Sequence, residues 1–292
     1  MTNREIPDSE LIINPDGSIF HLKLHPEQLA DIVILVGDPG RVNSVSKHFT
    51  SIEHQVANRE FITHTGYFNK KRISVLSTGI GTDNIDIVVN ELDALMNIDL
   101  KTRRVKQTHK SLSLVRLGTS GSLQADIDTD SILASKYGLG MDGLMNYYGD
   151  LPKIDEPRIA EAFMRHTGWK EGLPYPYIVK ASDRLLGLLG KGLKTGITAT
   201  APGFYGPQGR VLRIPVAVPG LNERFTSFSF EGERITNFEM ETSALYGLSK
   251  HLGHEACTLC SIIANRLAGT YSKDYKVTVD KMIELVLSRL TA

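Results

Sequence analysis

Apolar residues along this chain fall into short runs that end on glycine or a turn and give way to helix-period patterns. The run 31–37, DIVILVG, precedes DPGRVNSVSKHF, and 72–81, RISVLSTGIG, precedes NIDIVVNELDALM. The run 112–121, LSLVRLGTSG, leads into SLQADI, while 194–203, KTGITATAPG, opens a loop. A last run, EACTLCSIIAN at 255–265, is followed by VDKMIELVLSRL at 279–290, which has the spacing of an amphipathic terminal helix. Strand-length runs alternating with helical patterns predict an α/β domain around a largely buried sheet. The unequal connections argue against a regular (β/α)8 barrel. No fixed-period repeat and no linker divides the chain, so one domain over residues 1–292 is expected.

At 292 residues the chain can bury roughly three quarters of its unfolded surface, and it needs no disulfide or metal staple. Its 33 basic and 33 acidic residues cancel, which excludes a global attraction to nucleic acid or to an anionic membrane and leaves a local anion site open. The start, MTNREIPDSELIINPDG, lacks the basic and apolar regions of a secretory signal, and every apolar run is far short of the ~20 residues that span a bilayer. Only two cysteines occur, as suits a reducing cytoplasm, the expected location. They form CTLC at Cys257 and Cys260; on a strand, residues three apart point to opposite faces, so they read as buried thiols rather than a metal or redox pair. The basic run KTRRVKQTHK at 101–110 reads as a solvated loop, and RHTGWKEGLPYPY at 165–177 as a turn-rich exposed segment.

Four stretches carry chemistry. In GDPGR (37–41) an apolar run meets a glycine, and a proline stands where a helix would begin. Backbone N–H groups and the positive end of a helix dipole would face outward there, with Arg41 as a forked donor. A turn with a surface arginine explains the same residues. In RLGTSG, Arg116 lies inside an apolar strand with Thr119 just after it. Buried arginine needs a partner, which is either a structural carboxylate or an anionic ligand. NFEMETSAL (237–245) sets Glu239 and Glu241 on one face of an extended stretch with Met240 on the other, a geometry that suits vicinal hydroxyls and also suits an acidic helix start. FYGPQGR (204–210) combines two aromatics, an amide and a cation around a Gly-Pro turn. The Walker-type loop, G-x-S-x-G and H-E-x-x-H do not occur, and GIGTDN has Asn84 where a dinucleotide loop needs its third glycine. A nicotinamide-dependent oxidoreductase is therefore disfavoured.

In order along the chain, GDPGR, ANREF, STGIG, RLGTSG, FYGPQGR, NFEMET and ANR resemble the trimeric and hexameric nucleoside phosphorylase family, and within it the uridine phosphorylases. The similarity runs from IFHLKL near residue 20 to Arg266. It implies a single α/β domain whose central mixed sheet is distorted towards a barrel and flanked by helices, with residues 1–18 as an N-terminal extension. It further implies a phosphate site of Gly37, Arg41, Arg116 and Thr119, with Arg59 reaching in from a neighbouring subunit. Thr119, Met240 and Glu241 would hold ribose, and a neighbour's His21 would lie near the 5′-hydroxyl. Gln208 and Arg210 would read the pyrimidine, Phe204 would pack on it, and Arg266 would lie close by. The catalytic set is then Arg116, Arg210 and Glu241. A homo-oligomer follows, with a dimer as the active-site unit and a hexamer as a further assembly.

The implied reaction is reversible phosphorolysis of uridine to uracil and ribose 1-phosphate, with inorganic phosphate as co-substrate and no other cofactor. A purine nucleoside phosphorylase or nucleosidase on the same scaffold, and a nucleoside-binding regulator, are the alternatives. In purine-cleaving relatives an aspartate near the last motif can protonate the purine, and IIANRLAG offers none. The resemblance also implies a potassium site at Glu60, Ile80 and Asn84, although here GIGTDN replaces the family's GGPS loop and puts Asn84 in place of serine.

Overall fold

The computed structural model describes residues 4–292. Fourteen strands run in chain order: β1 Ile32–Val36, β2 Ser51–Asn58, β3 Phe61–Phe68, β4 Lys71–Ser77, β5 Ile98–Asp99, β6 Arg104–Val105, β7 Ser113–Ser122, β8 Ile132–Gly140, β9 Tyr177–Lys180, β10 Lys194–Thr200, β11 Ser229–Phe230, β12 Glu233–Glu239, β13 Glu255–Asn265 and β14 Thr270–Tyr271. The α-helices are α1 Pro39–Ser46, α2 Thr82–Asn97, α3 Pro157–Thr167, α4 Asp183–Leu189, α5 Leu221–Ser227, α6 Thr242–His251 and α7 Tyr275–Thr291.

Twelve strands make one mixed sheet in the order β11-β12-β10-β8-β13-β7-β1-β4-β3-β2, with β9 on β8 and β14 on β13. β12 also pairs with β7, so β12, β10, β8, β13 and β7 close a ring. This is the distorted barrel within a single α/β domain that the resemblance implied. Period-two alternation explains how helices cover both faces of the sheet beside it. On β1, Val33 and Leu35 join one core with α2 and α6, whereas Ile34 and Val36 join a second core with α1, α4 and α7. A third cluster lies under α3 and α5 around Phe163 and Phe225. Each fully buried Leu, Ile, Val or Phe contributes about 1.5–3 kcal/mol. No helix among the described residues is long and apolar enough to cross a membrane.

β7 runs through Thr119 to Ser122, in line with the apolar run 112–121, because β13 and β12 both supply hydrogen-bonding partners there. Two sequence expectations are corrected here. SLQADI forms no helix; the Gln124 amide instead ties this turn to the carbonyls of Thr226 and Ile235. The basic run 101–110 is solvent-facing, as expected, except for Arg103. That residue is strapped to the N-terminal segment through the carbonyls of Ile6, Pro7 and Leu11. Cys257 and Cys260 are free and buried within β13, as expected. Burial pushes their thiols up, to about 12 and about 11.

Candidate active site

β1 and β7 are parallel neighbours, with Leu35 beside Arg116. The turn after β1 therefore sits next to the polar end of β7. Asp38 caps α1 by accepting from Gly40 N at 2.8 Å, and Pro39 occupies the first helical position. Both fix Gly37 and Arg41 at the rim of a cavity of about 720 Å³. Arg41 Nη1 donates to the Leu117 carbonyl at 3.1 Å, which holds the guanidinium above β7. Burial, and then repulsion from Arg116, lowers its pKa.

Arg116 is a buried charge, 4% exposed. Both alternatives for it prove relevant: its guanidinium faces the cavity, and it is paired with carboxylates. Nη1 lies 3.2 Å from Glu239, and Nη2 contacts Glu241. Burial works against its charge, but Glu241 and Glu239 outweigh that and raise its pKa. Glu239 also accepts from the backbone N–H groups of Glu241 and Thr242 at 3.0 Å and from Thr200 Oγ1 at 2.6 Å. It thereby caps the start of α6 while anchoring the arginine. Glu241 accepts from Gly81 N at 2.8 Å, so the GIGTDN turn serves this carboxylate. Burial pushes the Glu241 carboxyl up against the pull of Arg116.

Gly118 has one evident reason to be glycine. A Cβ there would lie 1.9 Å from Arg116 Nη1 and 2.8 Å from Cζ.

Phe204, Gln208 and Arg210 line the same cavity, as do Phe238, Ile263, Ala264 and Tyr271. Gly206–Gln208 form a single 3-10 turn that buries Gln208. Arg210 Nη1 donates to Gln208 Oε1 and to the Phe204 carbonyl, both at 2.6 Å. The Gln208 amide is left with its N–H groups as donors. Arg266 Nη1 holds the Gln208 carbonyl at 2.6 Å. The guanidinium of Arg210 covers one face of the Phe204 ring at 3.8 Å from its centroid. This cation–π contact holds Arg210 in place, and the half-exposed ring still lines the cavity.

Ten of the expected residues thus line or adjoin one cavity: Gly37, Arg41, Arg116, Thr119, Met240, Glu241, Phe204, Gln208, Arg210 and, behind Gln208, Arg266. Glu60, Ile80 and Asn84 share its rim. His21 and Arg59 lie outside it, together: Asn58 Nδ2 donates to the His21 carbonyl at 2.8 Å, and Arg59 is the next residue. Several cavity residues escaped sequence reading. Asp38 was legible as the cap before Pro39. Ile263 and Ala264 directly precede Arg266, but Tyr271 reaches the cavity only because β14 folds back onto β13, opposite Ala264.

Residues 31–292 match the model of the phosphorylase superfamily, and the chain belongs to that family. A uridine phosphorylase of Thermococcus kodakarensis is 29% identical over 264 residues, covering 88% of this chain and 81% of the relative. One from Haemophilus influenzae is 26% identical over 286 residues, covering 94% and 98%. Among solved structures, a Trypanosoma brucei nucleoside phosphorylase described as showing uridine phosphorylase activity superposes with a TM-score of 0.86. It is 30% identical and covers 96% of this chain and 99% of its own.

Proposed function

We propose that the protein is a pentosyltransferase that catalyses the reversible phosphorolysis of uridine, with these residues as its site. One observation carries the reading: a single cavity is lined by Arg41, Arg116 and Thr119, by Met240 and Glu241, and by Gln208 and Arg210. Phosphate sits against the first group, with the partner's Arg59 completing the cage. Glu241 accepts from the sugar hydroxyls, leaving Arg116 partly to the phosphate. A phosphate oxygen bonds to C1′ as the C1′–N1 bond breaks and its electron pair passes to the base. Charge on the uracil carbonyls meets the Gln208 amide N–H and the Arg210 guanidinium. Phosphate close to the sugar stabilises the positive charge there, and orientation does the rest. No protein nucleophile is needed.

Beside the last motif the chain has Leu267, with no carboxylate to protonate a purine, which favours uridine over inosine. Glu60, the Ile80 carbonyl and Asn84 form an oxygen-donor set on the rim, suited in type to a hard cation such as potassium. A second subunit's set would have to complete that coordination. His21 and Arg59 lie outside the cavity of their own chain, which supports a homodimer as the active unit. The two free thiols fit a cytoplasmic enzyme.

The test is uracil release from uridine against hypoxanthine release from inosine at saturating phosphate. Turnover of uridine at least tenfold faster supports the assignment; preference for inosine rejects it.

A further inference from the structure

Glu91 stands on α2, in neither the cavity nor any sequence motif, yet all its acceptor capacity is spent on one residue and its neighbour. Its carboxylate accepts from the backbone N–H of His21 at 3.0 Å and of Leu22 at 2.8 Å, and it meets His21 Nδ1 at 2.7 Å. Asn58 holds the His21 carbonyl at 2.8 Å, and Phe20 and Phe61 flank the ring edge-on at 4.7 and 6.4 Å. Backbone, ring plane and one ring nitrogen are therefore fixed. Among the described residues the other nitrogen, Nε2, has no partner, and the side chain is 25% exposed.

An ionised carboxylate can only accept, so the ring must carry a proton on Nδ1. In the neutral ring this leaves Nε2 as a lone-pair acceptor facing outward. We propose that Glu91 is a positioning residue that selects this tautomer, so that His21 accepts a hydrogen bond from the 5′-hydroxyl of a nucleoside bound to the neighbouring subunit. The inference rests on the functional reading above and adds a specificity determinant to it. It explains why a carboxylate is placed behind a ring that would otherwise be free to turn. It also ties the sugar's 5′ end to α2, whose first turn follows the Gly81 N–H that holds Glu241.

The test compares kcat/KM for uridine and 5′-deoxyuridine in the wild type, Glu91→Gln and His21→Ala. A glutamine can keep accepting from the backbone while its amide donates to Nδ1, which moves the ring proton to Nε2, so that this nitrogen donates to the 5′-oxygen instead of accepting from the hydroxyl. The wild type is expected to favour uridine by about tenfold, the worth of one hydrogen bond, His21→Ala is expected to bring the ratio within about twofold of unity, and Glu91→Gln is expected to show the inverted ring tautomer by ¹⁵N NMR. A collapsed ratio in His21→Ala with an unchanged tautomer in Glu91→Gln overturns the role of Glu91 alone. A wild-type ratio in His21→Ala overturns the placement of His21 and the inference with it. If the wild type shows no phosphate-dependent turnover of uridine, the functional reading fails. In every case, ¹⁵N NMR of the intact wild type tests the tautomer: a protonated Nδ1 and an unprotonated Nε2 are expected, and the reverse refutes it.

Discussion

Replacing Gly118 by alanine perturbs the centre of the site without removing any functional group. The new Cβ would stand 1.9 Å from Arg116 Nη1, 2.8 Å from Cζ and 3.1 Å from Nη2. A free side-chain end would move aside cheaply, but this guanidinium is held by Glu239 and Glu241 in a buried setting. To yield, it must weaken at least one pairing. Complete loss of a buried pair costs about 3–5 kcal/mol, and a displacement that keeps one carboxylate engaged is expected to cost about 2 kcal/mol. That lowers the melting midpoint by about 4 °C. The larger effect is catalytic: with its donor misplaced, kcat/KM for phosphate is expected to fall about 10²–10³-fold. Gly121→Ala is the stability control on the same strand, since its Cβ would meet only ordinary contacts at 3.7 Å or beyond. Melting curves and initial rates over a phosphate series measure both quantities. A Gly118→Ala protein that melts and saturates with phosphate like the wild type would refute the placement of Arg116.

Arg210→Ala removes a leaving-group donor and uncovers Phe204; kcat is expected to fall about 10²–10³-fold, and a variant within threefold of wild type contradicts that role. Burial pushes the Glu241 carboxyl up, and its ionised form, with both oxygens free to accept, is the one proposed to hold the sugar hydroxyls. Activity should therefore climb with pH on the acid side through that raised pKa, at higher pH than an exposed glutamate would set. Glu241→Gln should lack this limb in a pH–rate profile; a wild-type limb in the variant assigns the titration elsewhere. Cys257 and Cys260, raised to about 12 and about 11 and fully buried, should ignore a thiol reagent at pH 8 until denaturant is added. Rapid labelling of the folded protein would show that β13 is not enclosed as described.

How much of this was legible follows from where the information lies. The strands β1, β4, β7, β10 and β13 are covered on both faces and announce themselves as apolar runs. β2, SIEHQVAN, is half exposed and polar, so periodicity alone did not mark it. Ring closure through β12 depends on pairing with β7 at Gly121 and Ser122, a long-range choice that local pattern does not encode. Glycines at strand ends marked the turns proposed to hold the anion, because backbone approach needs them. The partnering of Arg116 could not be read, since carboxylates distant in sequence decide it. Phe204 shows the same limit: its aromatic face was plain in the sequence, but the occupant of that face was not. Glu91 carried no motif, because its role arises only where α2 passes under His21.

The central claim is that phosphate, not water, cleaves the glycosidic bond in this cavity. Quantifying the sugar product of uridine cleavage with and without inorganic phosphate tests it most directly. Uracil and ribose 1-phosphate are expected in equal amounts, with uracil release abolished when phosphate is omitted. Uracil released at an undiminished rate without phosphate, together with free ribose, would contradict the account.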